Sequence, residues 1–129
     1  MPLITITLFK GKSAEHKKKI NDAIHESLMI HFNIKDWDYN QKTNEYSQED
    51  WRIPDGRSDN YVLIEICVFP GRSKEAKKNL FAEIVKRLKT IGIKKEDVFI
   101  ALQEQPMENW GIRGGIPADE VDLGYNRFV

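Results

Sequence analysis

Pro2, Asp38, Arg72, Trp110 and Arg113 are the residues whose type and setting point to chemistry. A proline directly after an initiator Met is small enough for that Met to be removed, which leaves a secondary amine at the start of the chain. Terminal amines titrate near neutrality, and an apolar surround or a nearby cation lowers their pKa by disfavouring the protonated form. A neutral amine at Pro2 accepts a proton from carbon, and a cationic one donates it. The competing role is a proline that only caps the first strand.

Arg72 follows Phe69-Pro70-Gly71 and precedes Ser73, at a strand-to-helix turn. There a guanidinium and a helix amino end together hold an anion, a carboxylate above all. Lys12 takes the matching place earlier in the chain and reads as structural, so a solvated turn residue is the other role for Arg72. Asp38 closes Lys35-Asp36-Trp37-Asp38 between a helix and a strand. It is placed to orient a water or a carbonyl or, like Asp97, to cap the turn. Trp110, flanked by Gly111 on a loop, is either a pocket wall or the packing anchor of the tail. Arg113 and Arg57 are candidates for a second cation, each also at home in solvent. Spacing alone does not join Pro2 to Arg72.

Other chemistries lack their residues. Cys67 is the single cysteine and lies in an apolar strand-like run, where a thiol is usually buried and inert. His16, His25 and His31 share one helix without metal-ligand spacing, and no Gly-rich phosphate loop follows a strand. No metal and no cofactor is expected.

The elements that must position these residues emerge when the chain is slid along itself by 60 positions. Ile4 to Phe9 then falls on Ile64 to Phe69, Gly11-Lys12-Ser13 on Gly71-Arg72-Ser73, and Ile20, Ile24 and Leu28 on Leu80, Ile84 and Leu88. Each half reads as strand, glycine turn, helix, strand. Repeat one covers about 2–46, repeat two about 62–102, and 103–129 is an irregular arm able to cross to a neighbouring subunit. Ser13 and Ser73 are good N-caps, followed by Glu15 and Glu75. The first helix presents Ile20, Ala23, Ile24, Leu28 and His31 as one stripe, and the second Ala76, Leu80, Ile84, Leu88 and Ile91. Strand 62–69 is nearly all apolar and reads as central and covered on both faces. The predicted fold is α+β, a duplicated β-α-β unit forming a four-stranded sheet with two helices on one face. The uncovered sheet face predicts an oligomer.

The chain has 129 residues with 20 basic and 20 acidic side chains, so it fits one domain and carries no net field to gather nucleic acid or an anionic membrane. Its longest apolar run is broken by Glu65 and is too short to span a bilayer. The start lacks the basic and apolar segments of a secretory signal, which predicts a cytoplasmic protein.

Met1-Pro2-Leu3-Ile4, the paired units, Pro70-Gly71-Arg72-Ser73, Asp97 to Leu102 and Glu108-Asn109-Trp110-Gly111 resemble the tautomerase superfamily over essentially the whole chain. The fused-repeat length and Asp38 look like its malonate semialdehyde decarboxylase branch. That resemblance implies a homotrimer with the amino-terminal proline at the bottom of each pocket. Arg72 would bind the carboxylate of a small acid substrate, Asp38 would assist or activate water, and Trp110 and Arg113 would contact substrate. One departure stands out: the branch has two arginines separated by a proline, where this chain has Pro70-Gly71-Arg72. The implied activity is keto-enol tautomerisation of a 2-oxo or enol acid. The alternatives are decarboxylation or hydration, or a trimeric binding module without turnover.

Overall fold

Two serines open the two helices in the same way. Ser13 Oγ accepts from His16 N at 3.0 Å and starts α1 (Ala14–Phe32), and Ser73 Oγ accepts from Ala76 N at 3.1 Å and starts α2 (Lys74–Thr90). Each hydroxyl satisfies one of the amides that a first helical turn leaves unpaired. Asn33 ends α1 in the left-handed conformation at φ 57°, donating back to Leu28 O. In the computed structural model, which describes all of Met1–Val129, these helices lie on one face of a single sheet.

The sheet contains β1 (Leu3–Phe9), β2 (Gln41–Tyr46), β3 (Val62–Val68) and β4 (Val98–Glu104), in the order β2-β1-β3-β4. Within each repeat the strands are parallel, β1 with β2 and β3 with β4; the repeats meet through antiparallel pairing of β1 with β3. Period-two alternation sends Ile4, Ile6, Leu8, Val62, Ile64, Ile66 and Val68 toward the helices. They pack there with Ile20, Ile24, Leu28, Leu80, Ile84 and Leu88 into an 18-residue core. Phe32, fully buried, takes the place expected of His31 at the end of the α1 stripe. His31 instead faces α2, 3.4 Å from Glu83 Oε1.

The opposite sheet face is open within one chain. Leu3 is 40% and Phe99 56% exposed, and Glu65 between them is also in solvent. β3 is therefore central but covered on one face only, against the expectation of cover on both. The tail returns to its own chain. It forms a hairpin of β5 (Gly111–Ile112) and β6 (Ile116–Pro117), then runs back to the turn ahead of α2. Val129 O accepts from Ser73 N at 2.8 Å, Asn126 O from Asn33 Nδ2 at 2.9 Å, and Pro70 O from Arg127 Nη1. No helix is long and apolar enough to cross a membrane.

Candidate active site

Antiparallel pairing of the inner strands joins what spacing could not. Leu3, the first residue of β1, lies opposite Cys67 near the end of β3, so the residues before Leu3 run beside the turn that carries Arg72. Parallel pairing does the same for Asp38. β2 starts beside the start of β1, with Ile4 N donating to Asn40 O at 2.9 Å, and Asp38 stands just ahead of β2. Pro2 is buried at this junction.

The nitrogen of Met1 marks the centre of the cluster. It lies 2.9 Å from Asp38 Oδ2 and donates to the Tyr125 hydroxyl at 3.1 Å. Burial pushes this amine below its ordinary pKa near 8, the hydrogen bond and charge of Asp38 oppose that, and the charge of Arg72 adds to the lowering. Asp38 is itself buried, 6% exposed. Tyr125 titrates above its usual value near 10, chiefly through burial, so it stays a neutral hydroxyl at physiological pH.

Arg72 is 5% exposed and enters from the other side. Its Nη2 donates to Phe32 O at 2.7 Å and its Nη1 to Phe69 O at 3.2 Å, with the guanidinium carbon 4.9 Å from the Phe32 ring centre. Those bonds tie the end of α1 to the end of β3. Burial lowers the pKa of Arg72, with Tyr125 opposing, but a guanidinium stays charged at any physiological pH. Its Nε is buried and has no partner.

Trp110 is buried in the packing of the tail. Its Nε1 donates to Gln105 O at 3.1 Å and its ring meets Phe69 edge-on at 4.8 Å, which anchors the tail. The same small cluster, with Ala118, is packed on by Met1. Arg113 is not brought to the cluster by its own chain; it is exposed, and its Nη2 donates to Asp122 O at 3.3 Å. Arg57 lies on the loop before β3, at the opposite end of the sheet. Asp97 is buried as well, but it accepts from Ser58 N at 2.8 Å and Ser58 Oγ at 2.6 Å and holds that loop. No three His, Cys, Asp or Glu side chains converge as a metal-ligand set.

Tyr125 is the member of the cluster that sequence reading passed over. It stands 53 residues beyond Arg72 in an irregular arm, and only closure of the tail on Gly71 brings it in. A Cβ on Gly71 would lie 3.0 Å from Arg127 Nη1 and 3.2 Å from Arg127 O, at a φ of +131° that side chains rarely adopt. Glycine is therefore required there by both conformation and space.

Two β-α-β halves joined through antiparallel inner strands thus bring an amine, a carboxylate, a phenol and a guanidinium to one sheet end. Residues 38–113 match a family described as tautomerase enzyme, and residues 2–59 match a second of the same description. The probable tautomerase YusQ of Bacillus subtilis (strain 168) is 30% identical over 121 residues, covering 89% of this chain and 95% of the relative. FG41 malonate semialdehyde decarboxylase inhibited by 3-bromopropiolate is 32% identical, with a TM-score of 0.79 and coverage of 85% of this chain and 88% of that one. A second malonate semialdehyde decarboxylase, described with decarboxylase and hydratase activities, is 27% identical with a TM-score of 0.80, covering 85% and 89%. The chain belongs to the tautomerase family and is an isomerase-type enzyme.

Proposed function

We propose that the mature chain begins at Pro2 and that its secondary amine is the acid and base of a keto-enol tautomerisation of a small 2-oxo or enol carboxylic acid. The observation that carries this reading is the meeting of the Met1 amine, one residue ahead of buried Pro2, with Asp38, Tyr125 and the charge of Arg72. Removing Met1 moves the terminal nitrogen by one residue, at most about 3.6 Å, to Pro2, which is buried at the same junction. It also frees the space Met1 fills against Phe69 and Trp110.

In the ketonising direction the neutral amine takes the proton of the enol oxygen and a proton is returned to the adjacent carbon, so the net change is the move of one hydrogen. Arg72 and the Tyr125 hydroxyl stabilise the enolate oxygen as its charge develops. Asp38 holds the amine in place and balances its cationic form between the two transfers. These groups supply the acid-base and electrostatic terms, so the reading needs no cofactor or metal.

Decarboxylation or hydration of a 3-oxo or unsaturated acid is the second reading. It is favoured by the ion pair at 2.9 Å between the amine and Asp38, which promotes a cationic amine, and by the two decarboxylase relatives. Both readings place one tautomerase-like domain in a cytoplasmic homotrimer. Exposed Leu3 and Phe99 on the open sheet face support that assembly, and the fused 4-OT symmetric trimer shares the fold with a TM-score of 0.80.

Intact mass followed by phenylpyruvate ketonisation tests the proposal. Mass should show loss of Met1, and Pro2→Ala should lower kcat/KM by about 10²–10⁴-fold with the oligomer intact. A retained Met1 points instead to a module without turnover, and unchanged activity in Pro2→Ala, which keeps a primary amine, rejects the proline's secondary amine as the required catalyst.

A further inference from the structure

We infer that Arg127, near the end of the chain, shares with Arg72 the binding of the substrate's acid group; this rests on the reading of the pocket just proposed. Arg72 has two hydrogen-bonding arms committed to the carbonyls of Phe69 and Phe32 and lies under the Phe32 ring. A guanidinium has five N–H groups, so Arg72 can still donate, but from a buried and fixed position. Arg127 is half-buried, spends one hydrogen on Pro70 O, and lies over the Phe128 ring at 4.1 Å.

Neither arginine is in an ion pair with Asp or Glu. Glu104, the acid whose charge reaches Arg72, is held by Lys77 at 2.5 Å. Two cations outside any ion pair thus sit around the Pro70-Gly71 turn at the amino end of α2, with the charge of Arg127 acting against that of Arg72. An anion joining them reduces that repulsion. The tail packs closely on this turn, since a Cβ at residue 71 would lie 3.0 Å from Arg127 Nη1 and 3.2 Å from Arg127 O.

The tail also links this pair to the amine. Tyr125 and Arg127 are half-buried while Asn126 and Phe128 are exposed, the alternation of an extended segment with one side against the protein. Tyr125 reaches the amine and Arg127 reaches the turn. An acid group held between Arg127 and Arg72 leaves the adjacent carbonyl and carbon of a 2-oxo acid toward Tyr125 and the amine.

The test compares wild type, Arg127→Ala and Arg127→Lys in two assays. In phenylpyruvate turnover, Arg127→Ala should raise KM at least tenfold and change kcat less than about threefold, with Arg127→Lys recovering part of the loss. In the second assay, non-reacting 3-phenylpropionate is titrated while the arginine side-chain Nε–H signals are followed by NMR. It should shift the Arg127 signal in wild type and bind at least tenfold more weakly to Arg127→Ala, with the thermal midpoint of that variant within a few degrees of wild type. Wild type that fails to turn over phenylpyruvate defeats the tautomerase reading, while the titration still decides for Arg127. An unshifted Arg127 signal, or equal affinity in Arg127→Ala, overturns the assignment.

Discussion

Gly71→Ala, set against Gly11→Ala, isolates the seating of the tail. The two glycines are repeat partners at the same strand-to-helix turn, with φ +131° and +106°. An alanine at either is forced into backbone space that is nearly glycine's alone, at a cost of about 1–3 kcal/mol. At Gly11 nothing lies within 4 Å of the new methyl group. At Gly71 it meets Arg127 Nη1 at 3.0 Å, Phe128 Cδ1 at 3.1 Å and Arg127 O at 3.2 Å. A side-chain end moves easily but a backbone oxygen does not, so the tail must give at the turn, which strains the bonds of Val129 O and Asn126 O. Each such bond contributes about 0.5–1.5 kcal/mol. Gly71→Ala should therefore lose about 1–3 kcal/mol more than Gly11→Ala, or roughly 4–12 °C more in thermal midpoint at this chain length. Shifting the tail also displaces Tyr125, so kcat/KM for phenylpyruvate should fall in Gly71→Ala and change little in Gly11→Ala. Calorimetry and steady-state kinetics on the pair measure both differences. Equal midpoints and equal activities would refute a tail that seats on the turn and completes the pocket.

Asp38→Asn removes the partner that raises the amine's pKa, so the acid limb of the kcat/KM profile should move to lower pH; a limb that stays put or rises contradicts the pairing. Asp97→Ala strands the two donors of Ser58 and should destabilise by about 1–3 kcal/mol in urea melts while leaving kcat/KM within about twofold, the reverse of Asp38. Leu80→Ala, at a fully buried core position, should cost about 2–5 kcal/mol in the same melts without altering the pH profile.

The duplication made most of the fold legible, because matching apolar periods at Ile20, Ile24 and Leu28 and at Leu80, Ile84 and Leu88 fix two equivalent helices over one sheet. Pairing direction was not legible. A repeat of 60 residues states that two strands are alike, not that β1 and β3 run antiparallel, and that direction is what brings Pro2 to Arg72. Asp38 and Asp97 show a second limit. They recur at matching helix-to-strand junctions and are both buried, yet one meets the chain's amine and the other a serine of the inter-repeat loop. The aromatic pairs Phe9 with Trp51 and Phe69 with Trp110 repeat in the same way, at 4.9 and 4.8 Å. Tyr125 and Arg127 had no signal, since the tail has no counterpart in the first repeat and its closure depends on contacts far apart in sequence.

Titration of the terminal amine of the processed protein, followed by nitrogen NMR in the folded state and in denaturant, bears most directly on Pro2 as acid and base. Burial and the nearby guanidinium should make the folded amine titrate at lower pH than the unfolded one, with the gap widening in Asp38→Asn. Identical titration in the two states, untouched by Asp38→Asn, would contradict a catalytic amine held among Asp38, Tyr125 and Arg72.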